Sequence, residues 1–454
     1  MSRLLSKADF GYFAAITGVM AILMSVSEAG LGSAVIQKKD ASQSFISTAF
    51  TLSCIVGFVI STLLFCFSPY LAYLIADSTL TTPLRVMSIN IFLYGIVSIG
   101  NGVLYRKLAF KTIGVINITS YAIASIVGIT MAYYHCGVYS VVVLSVVHSL
   151  LNVLFLFVNV KFPTFSINRE DTKGIVFFGG WLTAGVILNN ISNQIDKLFL
   201  SKWLSVQALG SYNRPAGFVS SISTKINSIF DTVLFPILSD LQNDRDRVSA
   251  IFINSISLIN IFSVLLAAVF FFNANLIISV FFGNNWLELT PVLQIVSISV
   301  IFNINGRLVD CFFRSLAYVR LGFVLRLLSV IITFVAIYIG SKYGIIGVAT
   351  ALVIANVTNI FIKLFSLAIK IKASPFEIIK RMILAWRVVV PIVVVGVPFL
   401  LLNNNSWWII ISFALVFVII VLTEFVCFPR FVGDVYTLQV YPKVSRLVNK
   451  IVKR

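Results

Sequence analysis

Residues 45–68 read FISTAFTLSCIVGFVISTLLFCFS, a run with no charged side chain. As an α-helix rising 1.5 Å per residue it is about 36 Å long, enough to cross a bilayer core of roughly 30 Å. Runs of this kind recur from Phe10 to Cys427. They predict about thirteen spans: 10–32, 45–68, 86–104, 113–134, 138–160, 174–196, 209–236, 251–274, 288–306, 320–340, 343–368, 388–402 and 406–427. Across 454 residues the chain is 59% hydrophobic and 11% charged, against about 25% charge in ordinary soluble domains. A soluble enzyme is excluded, and the fold class is an all-α polytopic membrane protein. The polar stretches at 161–173 and 242–248 are too short to fold with a core of their own, so all chemistry takes place in or against the bilayer.

A formal net charge of +18 would suggest a nucleic-acid partner in a soluble chain. Here the basic residues fall between apolar runs, where they set orientation, and no nucleic acid is implied. Of the 34 Lys and Arg residues, 24 lie in one alternate set of loops and the tail, 6 in the opposite set, and 4 (Arg214, Lys225, Arg326, Lys363) inside spans. That asymmetry predicts a cytoplasmic C-terminus. Cys54, Cys66, Cys136, Cys311 and Cys427 are scattered with no metal-like spacing, which reads as reduced packing residues.

The stretch Arg3-Leu4-Leu5-Ser6 through Phe10-Gly11-Tyr12-Phe13 returns 199 residues later as Lys202-Trp203-Leu204-Ser205 through Leu209-Gly210-Ser211-Tyr212. Six spans lie within that offset, which predicts two six-helix bundles related by an axis along the membrane normal, followed by two further helices. The second copy follows a span and the first follows none, so one N-terminal helix of the architecture is expected to be missing. The resulting division is an N-terminal lobe at 1–160 and a cytoplasmic linker at 161–173. A C-terminal lobe at 174–368, an interfacial amphipathic link at 369–387, two helices at 388–428 and a basic cytoplasmic tail at 429–454 follow.

The strings RLLSKADFGYFA (3–14), EAGLGSAVIQKKD (28–40), LYRKLAFK (104–111), NQIDKLFLSKWLSVQALGSYNR (193–214) and VLFPILSD (233–240) resemble, in order and spacing, the polysaccharide-transporter branch of the MOP superfamily. That branch holds Wzx-type flippases for O-antigen, capsule and colanic-acid repeat units. The resemblance implies a cavity between the lobes that opens inward and then outward. It also implies an oligosaccharide substrate on polyprenyl pyrophosphate, moved from the cytoplasmic to the periplasmic leaflet of the bacterial inner membrane. Its expected partners are H+ or Na+ as coupling ion, membrane lipids, and a polysaccharide polymerase with other assembly proteins.

A charged side chain at bilayer depth costs at least about 2.5–3.5 kcal/mol on insertion scales and so marks a partner or a wet cavity. Asn189, Asn193 and Asp196 fall at i, i+4 and i+7, with Ser192 beside them. The next span carries Arg214, Ser221, Thr224, Lys225, Ser228 and Asp231 on one broad face. Together they suit sugar hydroxyls and phosphate, with the Lys225 ammonium toward a pyrophosphate. Alternatively, Asp196 ties to Lys197 or Arg214. Glu28, sharing a face with Ser25 and Gly32, either carries a coupling proton or ties to a basic residue on a neighbouring helix. Asn303, Arg307, Asp310 and Arg314 form an aligned ladder whose spacing permits Arg307–Asp310 and Asp310–Arg314 ion pairs. The ladder is either a self-neutralised helix end or the place where Arg307 or Arg314 meets an entering pyrophosphate.

Arg326 and Lys363 read as single charges that snorkel. His148 and His135 read as packing residues, and Trp286, Trp407 and Trp408 as interfacial belt. At 375–387, Phe376, Ile379, Ile383 and Trp386 form an apolar face with Lys380, Arg381 and Arg387 toward the other. The tail at 442–454 repeats the pattern, and both suit anionic headgroups. Two other classes compete. A membrane glycosyltransferase or polymerase needs an extramembrane loop with paired carboxylates, and a MATE-like drug exporter needs an acidic cavity. Nothing cradles ATP phosphates, and no cofactor is expected.

Overall fold

The computed structural model describes residues 4–28, 31–37, 42–75, 78–160, 164–172, 187, 190, 191, 194, 197, 199–229, 234–241 and 244–385. Every regular element among them is helical. In chain order they are α1 (Lys7–Glu28), α2 (Leu31–Gln37), α3 (Gln43–Ile75), α4 (Thr81–Arg106), α5 (Phe110–Tyr133), α6 (Tyr139–Asn159), α7 (Val206–Ile229), α8 (Phe235–Asp240), α9 (Arg245–Phe272), α10 (Ala274–Phe281), α11 (Thr290–Ser315), α12 (Val319–Ser341), α13 (Gly344–Ile371) and α14 (Pro375–Ala385).

Among the described residues, nine helices are long and apolar enough to cross a membrane: α1, α3, α4, α5, α6, α9, α11, α12 and α13. The protein is a multi-pass membrane protein. The predicted span at 209–236 corresponds to α7, which has the length, but its serines, threonine, Arg214 and Lys225 keep it out of that apolar set. The predicted spans at 388–402 and 406–427, and nearly all of 174–196, lie outside the described residues.

The chain divides into two compact units, Met1–Asn213 and Arg214–Arg454. In the first, α3 packs on α4, α5 on α6 and α4 on α6, and α4 also touches α1 and α2. In the second, α9 packs on α11, α12 on α13 and α11 on α13. The dominant pairings recur in the same order, so the duplication seen in sequence is also one of packing. Lipid offers little hydrophobic drive between helices, and close approach over small residues replaces it. Ser53 Oγ donates to the Gly95 carbonyl at 2.9 Å, and a Cβ at Gly95 would lie 3.1 Å from the Ser53 carbonyl oxygen. The second unit is centred on Phe252 and Phe312, both fully buried, with rings 4.9 Å apart at 69°. Such an edge-on pair adds about 0.5–1.5 kcal/mol beyond its buried area. Residues 164–172 are pinned to α3: Ser166 N donates to Thr51 Oγ1 and Asn168 N to Thr48 Oγ1, both at 3.1 Å. Ser44 Oγ donates to Asp171 Oδ2 at 3.0 Å.

Candidate substrate-binding site

The repeated strings become two helix starts of the same design. Ser6 accepts at 3.2 Å from the Asp9 backbone N–H, while Asp9 Oδ2 accepts from Ser6 N at 2.9 Å, a capping box that opens α1. Ser205, 199 residues later, accepts from Ala208 N at 3.0 Å and opens α7. The two starts touch through their glycines. A Cβ on Gly11 would strike the Val206 carbonyl oxygen, and a Cβ on Gly210 the Lys7 carbonyl oxygen. These are equivalent contacts of the two repeat copies, and no side chain fits there.

Beyond this junction α7 presents a polar arc. Asn213, Arg214 and Gly217 are half-buried, and Ser220, Ser221, Thr224 and Lys225 are exposed. At 100° per residue all seven fall within about 140° of the helix wheel. The hydroxyls donate to their own helix: Ser220 to Gly217 O at 3.1 Å, Ser221 to Phe218 O at 2.8 Å and Thr224 to Ser220 O at 2.8 Å. Their protons are committed inward and their lone pairs face out, so the arc offers hydrogen-bond acceptors beside the Lys225 ammonium. The Arg214 guanidinium lies 5.6 Å from the ring centre of Phe282, which packs with Phe218 at 5.9 Å. Pro215 sits inside α7; it has no N–H to give to the Ser211 carbonyl one turn back. Asn189, Ser192, Asn193, Asp196 and Asp231 lie outside the described residues, and so does the alternative tie of Asp196. Ser228 belongs to α7, but its side chain is also outside them.

On α11 the ladder forms one face, with Asn303, Arg307 and Arg314 exposed and Asp310 half-buried. The ion pairs within the helix are not made. Asp310 Oδ1 accepts instead from Lys363 Nζ of α13 at 2.8 Å, and Oδ2 lies 3.8 Å from Arg326 Nη2 of α12. Arg314 Nε donates to the Asp310 backbone oxygen at 3.4 Å, and its guanidinium lies 5.9 Å from the Phe235 ring centre. The physical reason is burial: a partly desolvated pair between packed helices is stronger than a water-screened pair along a surface. Arg326 and Lys363 therefore do not snorkel. They converge on one carboxylate, at sequence separations that spacing along a single helix does not reveal.

Glu28 closes α1 and is tied to α4, among the described residues by hydroxyls and not by a base: Ser98 Oγ donates at 3.2 Å and Tyr94 OH at 3.5 Å. His148 contacts Asn152 Nδ2 at 3.0 Å and meets the Tyr121 ring edge-on at 5.6 Å, as a packing residue does. Trp286 is 3% exposed with Phe282 at 6.4 Å, so it belongs to the core and not to an interfacial belt. On α14 the exposed line is Phe376, Lys380 and Ile383, at i, i+4 and i+7, while Ile378 and Met382 are buried. Lys380 thus shares the apolar outer face. Sequence reading also missed a buried amide network. Asn305 Nδ2 donates to Ile301 O at 2.8 Å and Asn260 Oδ1 at 3.3 Å, and Asn260 Nδ2 donates to Met382 O at 2.8 Å. Among the described residues, no group of three His, Cys, Asp or Glu side chains is placed to hold a metal ion.

Residues 1–291 match the family described as polysaccharide biosynthesis protein. The lipopolysaccharide biosynthesis protein WzxC of Escherichia coli strain K12 is 21% identical over 385 residues, 83% of this chain and 77% of that protein. The teichuronic acid biosynthesis protein TuaB of Bacillus subtilis strain 168 is 27% identical over 360 residues, 77% of this chain and 73% of that protein. In fold the chain is similar to the lipid II flippase MurJ in an inward closed conformation, with a TM-score of 0.73 and 16% identity over 93% of this chain and 95% of that one.

Proposed function

The chain belongs to the polysaccharide biosynthesis protein family, and from that membership we propose that it is a flippase for polyprenyl-pyrophosphate-linked oligosaccharide repeat units. It moves them from the cytoplasmic to the periplasmic leaflet of the inner membrane by alternating access, for O-antigen, capsule or exopolysaccharide assembly. The basic loops and tail face the cytoplasm, and H+ or Na+ supplies direction. The observation that carries this reading is the polar arc of α7, a helix bearing exposed hydroxyls and an ammonium where the other long helices among the described residues are apolar. Sugar hydroxyls donate to Ser220, Ser221 and Thr224, and Lys225 meets phosphate oxygen. Arg214, Ser228, Asn189, Asn193, Asp196 and Asp231 extend the same wet surface. The carrier needs no catalytic residue, since no covalent bond of the cargo changes.

The test is translocation of lipid-linked saccharide by the full chain in proteoliposomes. Lys225→Ala should slow it about tenfold, the worth of one charge-assisted hydrogen bond, at unchanged membrane abundance. Ser221→Cys and Lys225→Cys, with the native cysteines replaced by serine, should react with a small aqueous thiol reagent, whereas Ile331→Cys on α12 should not. Normal transport by Lys225→Ala together with unlabelled cysteines on α7 would refute the assignment.

A further inference from the structure

α11, α12 and α13 bring one carboxylate and several cations together at one end of the second unit. Asp310 lies five residues before the end of α11, Arg326 seven after the start of α12 and Lys363 eight before the end of α13. At 1.5 Å per residue these positions are about 8–12 Å inside the helix ends. The side chains of Asp310, Arg326 and Lys363 are 20%, 31% and 15% exposed. Charge at such depth is costly, and here it does not balance, because one carboxylate serves two cations. Lys363 is held at 2.8 Å but Arg326 only at 3.8 Å. That contact is the whole of the polar engagement of Arg326, whose guanidinium makes no hydrogen bond among the described residues. Arg307, one turn before Asp310 on the same face, is exposed and has no ion-pair partner there. A guanidinium with unused donors beside a loosely held counter-ion is suited to a multidentate oxyanion.

We propose that Asp310, Arg326 and Lys363 form a charge-exchange site for a diphosphate group, whose oxygens take Arg326 and Lys363 away from Asp310 while Arg307 closes on the anion from the exposed side. The identity of that diphosphate as the headgroup of a lipid-linked saccharide rests on the flippase function proposed above. With no cargo present Asp310 offsets one of the two positive charges, which lowers the cost of holding both cations at that depth. Because the anion must displace an internal carboxylate, it is held firmly enough to enter and weakly enough to leave, as a carrier requires.

Inorganic pyrophosphate binding to the full chain in phosphatidylcholine nanodiscs, measured by calorimetry, tests the exchange. Arg326→Gln and Lys363→Gln should each weaken binding about tenfold, and Asp310→Asn, by removing the competitor, should tighten it about tenfold. A purely structural ion cluster gives the other sign for Asp310→Asn, and unchanged or weaker binding there overturns the proposal. If Asp310→Asn alone does not fold, the double variant Asp310→Asn/Lys363→Gln removes one charge of each sign. It must bind pyrophosphate more tightly than Lys363→Gln, and equal or weaker binding overturns the exchange. Phosphatidylglycerol in the nanodiscs separates cargo from ordinary lipid: persistent binding supports the diphosphate site, and abolished binding assigns the cluster to anionic headgroups and overturns it. A chain that shows the predicted binding pattern but translocates no lipid-linked saccharide supports the site while removing the flippase assignment. Translocation with pyrophosphate affinity unchanged by Arg326→Gln/Lys363→Gln keeps the flippase and removes the site.

Discussion

Adding one methyl group at the junction of the two repeat copies should separate α1 from α7. A Cβ at Gly11 would meet the Val206 carbonyl oxygen head-on and lie 2.7 Å from its carbonyl carbon, where ordinary contact begins at 3.4 Å. The helices must therefore part by at least about 0.7 Å, and backbone atoms, unlike side chains, cannot rotate away. Overpacking of this kind costs about 1–3 kcal/mol, and the rigidity of both partners places Gly11→Ala near the upper end. Gly210→Ala should cost a similar amount, because its Cβ meets the Lys7 carbonyl oxygen and lies 2.6 Å from Gly11 N. The double variant should lose clearly less than the sum, since one separation relieves both clashes. Gly114 on α5 has nothing within 4 Å of a built Cβ, so Gly114→Ala should gain about 0.5–1 kcal/mol from helix propensity alone. Reversible SDS unfolding in mixed micelles reads all four. Gly11→Ala as stable as Gly114→Ala, or strict additivity of Gly11→Ala and Gly210→Ala, would refute the reciprocal backbone contact.

Asn260→Ala should cost about 1–3 kcal/mol in the same titration, because it strands the buried Met382 carbonyl and removes an acceptor from Asn305; a loss under about 0.5 kcal/mol would deny the network a structural role. Glu28→Gln keeps an amide oxygen facing the Ser98 hydroxyl, so stability should stay within about 0.5 kcal/mol and the pH profile of transport should not change. A flattened profile would instead make Glu28 the coupling carboxylate. A nitroxide at Phe376→Cys should report headgroup depth by its oxygen and nickel accessibilities, since Phe376 is 76% exposed on the outer face of α14; a fully aqueous signature would detach that helix from the membrane surface.

The nine apolar helices were legible because a span needs only length and an absence of charge, both local properties of the chain. The resemblance to polysaccharide transporters was legible for a related reason: the strings around Gly11 and Gly210 fix helix starts and close contacts, which tolerate little change of residue type. Faces were legible too, since 3.6 residues per turn places Asn303, Arg307, Asp310 and Arg314 on one line without any coordinates. Partners were not. Asp310 could be assigned to Arg314 from spacing, but its real partners lie 16 and 53 residues away, and only helix packing selects them. Glu28 was tied to hydroxyls of α4 that no rule of charge would nominate. Lys380 was misplaced because the apolar residues of α14 serve two surfaces, Ile378 and Met382 toward α9 and α13 and Phe376 and Ile383 outward. Trp286 was misplaced because a short helix and a turn of 3-10 helix at Asn284–Leu289 carry it under Phe282.

Pro215 falls between the stub of α7 that is locked to α1 at Gly210 and the length that carries Ser220 to Lys225. One missing rung lowers the free energy of flexing at that place, so the hydroxyl-bearing portion can swing while the anchored end keeps still. A rod with a fixed foot and a compliant ankle can redirect its free end without unpicking the junction beneath it.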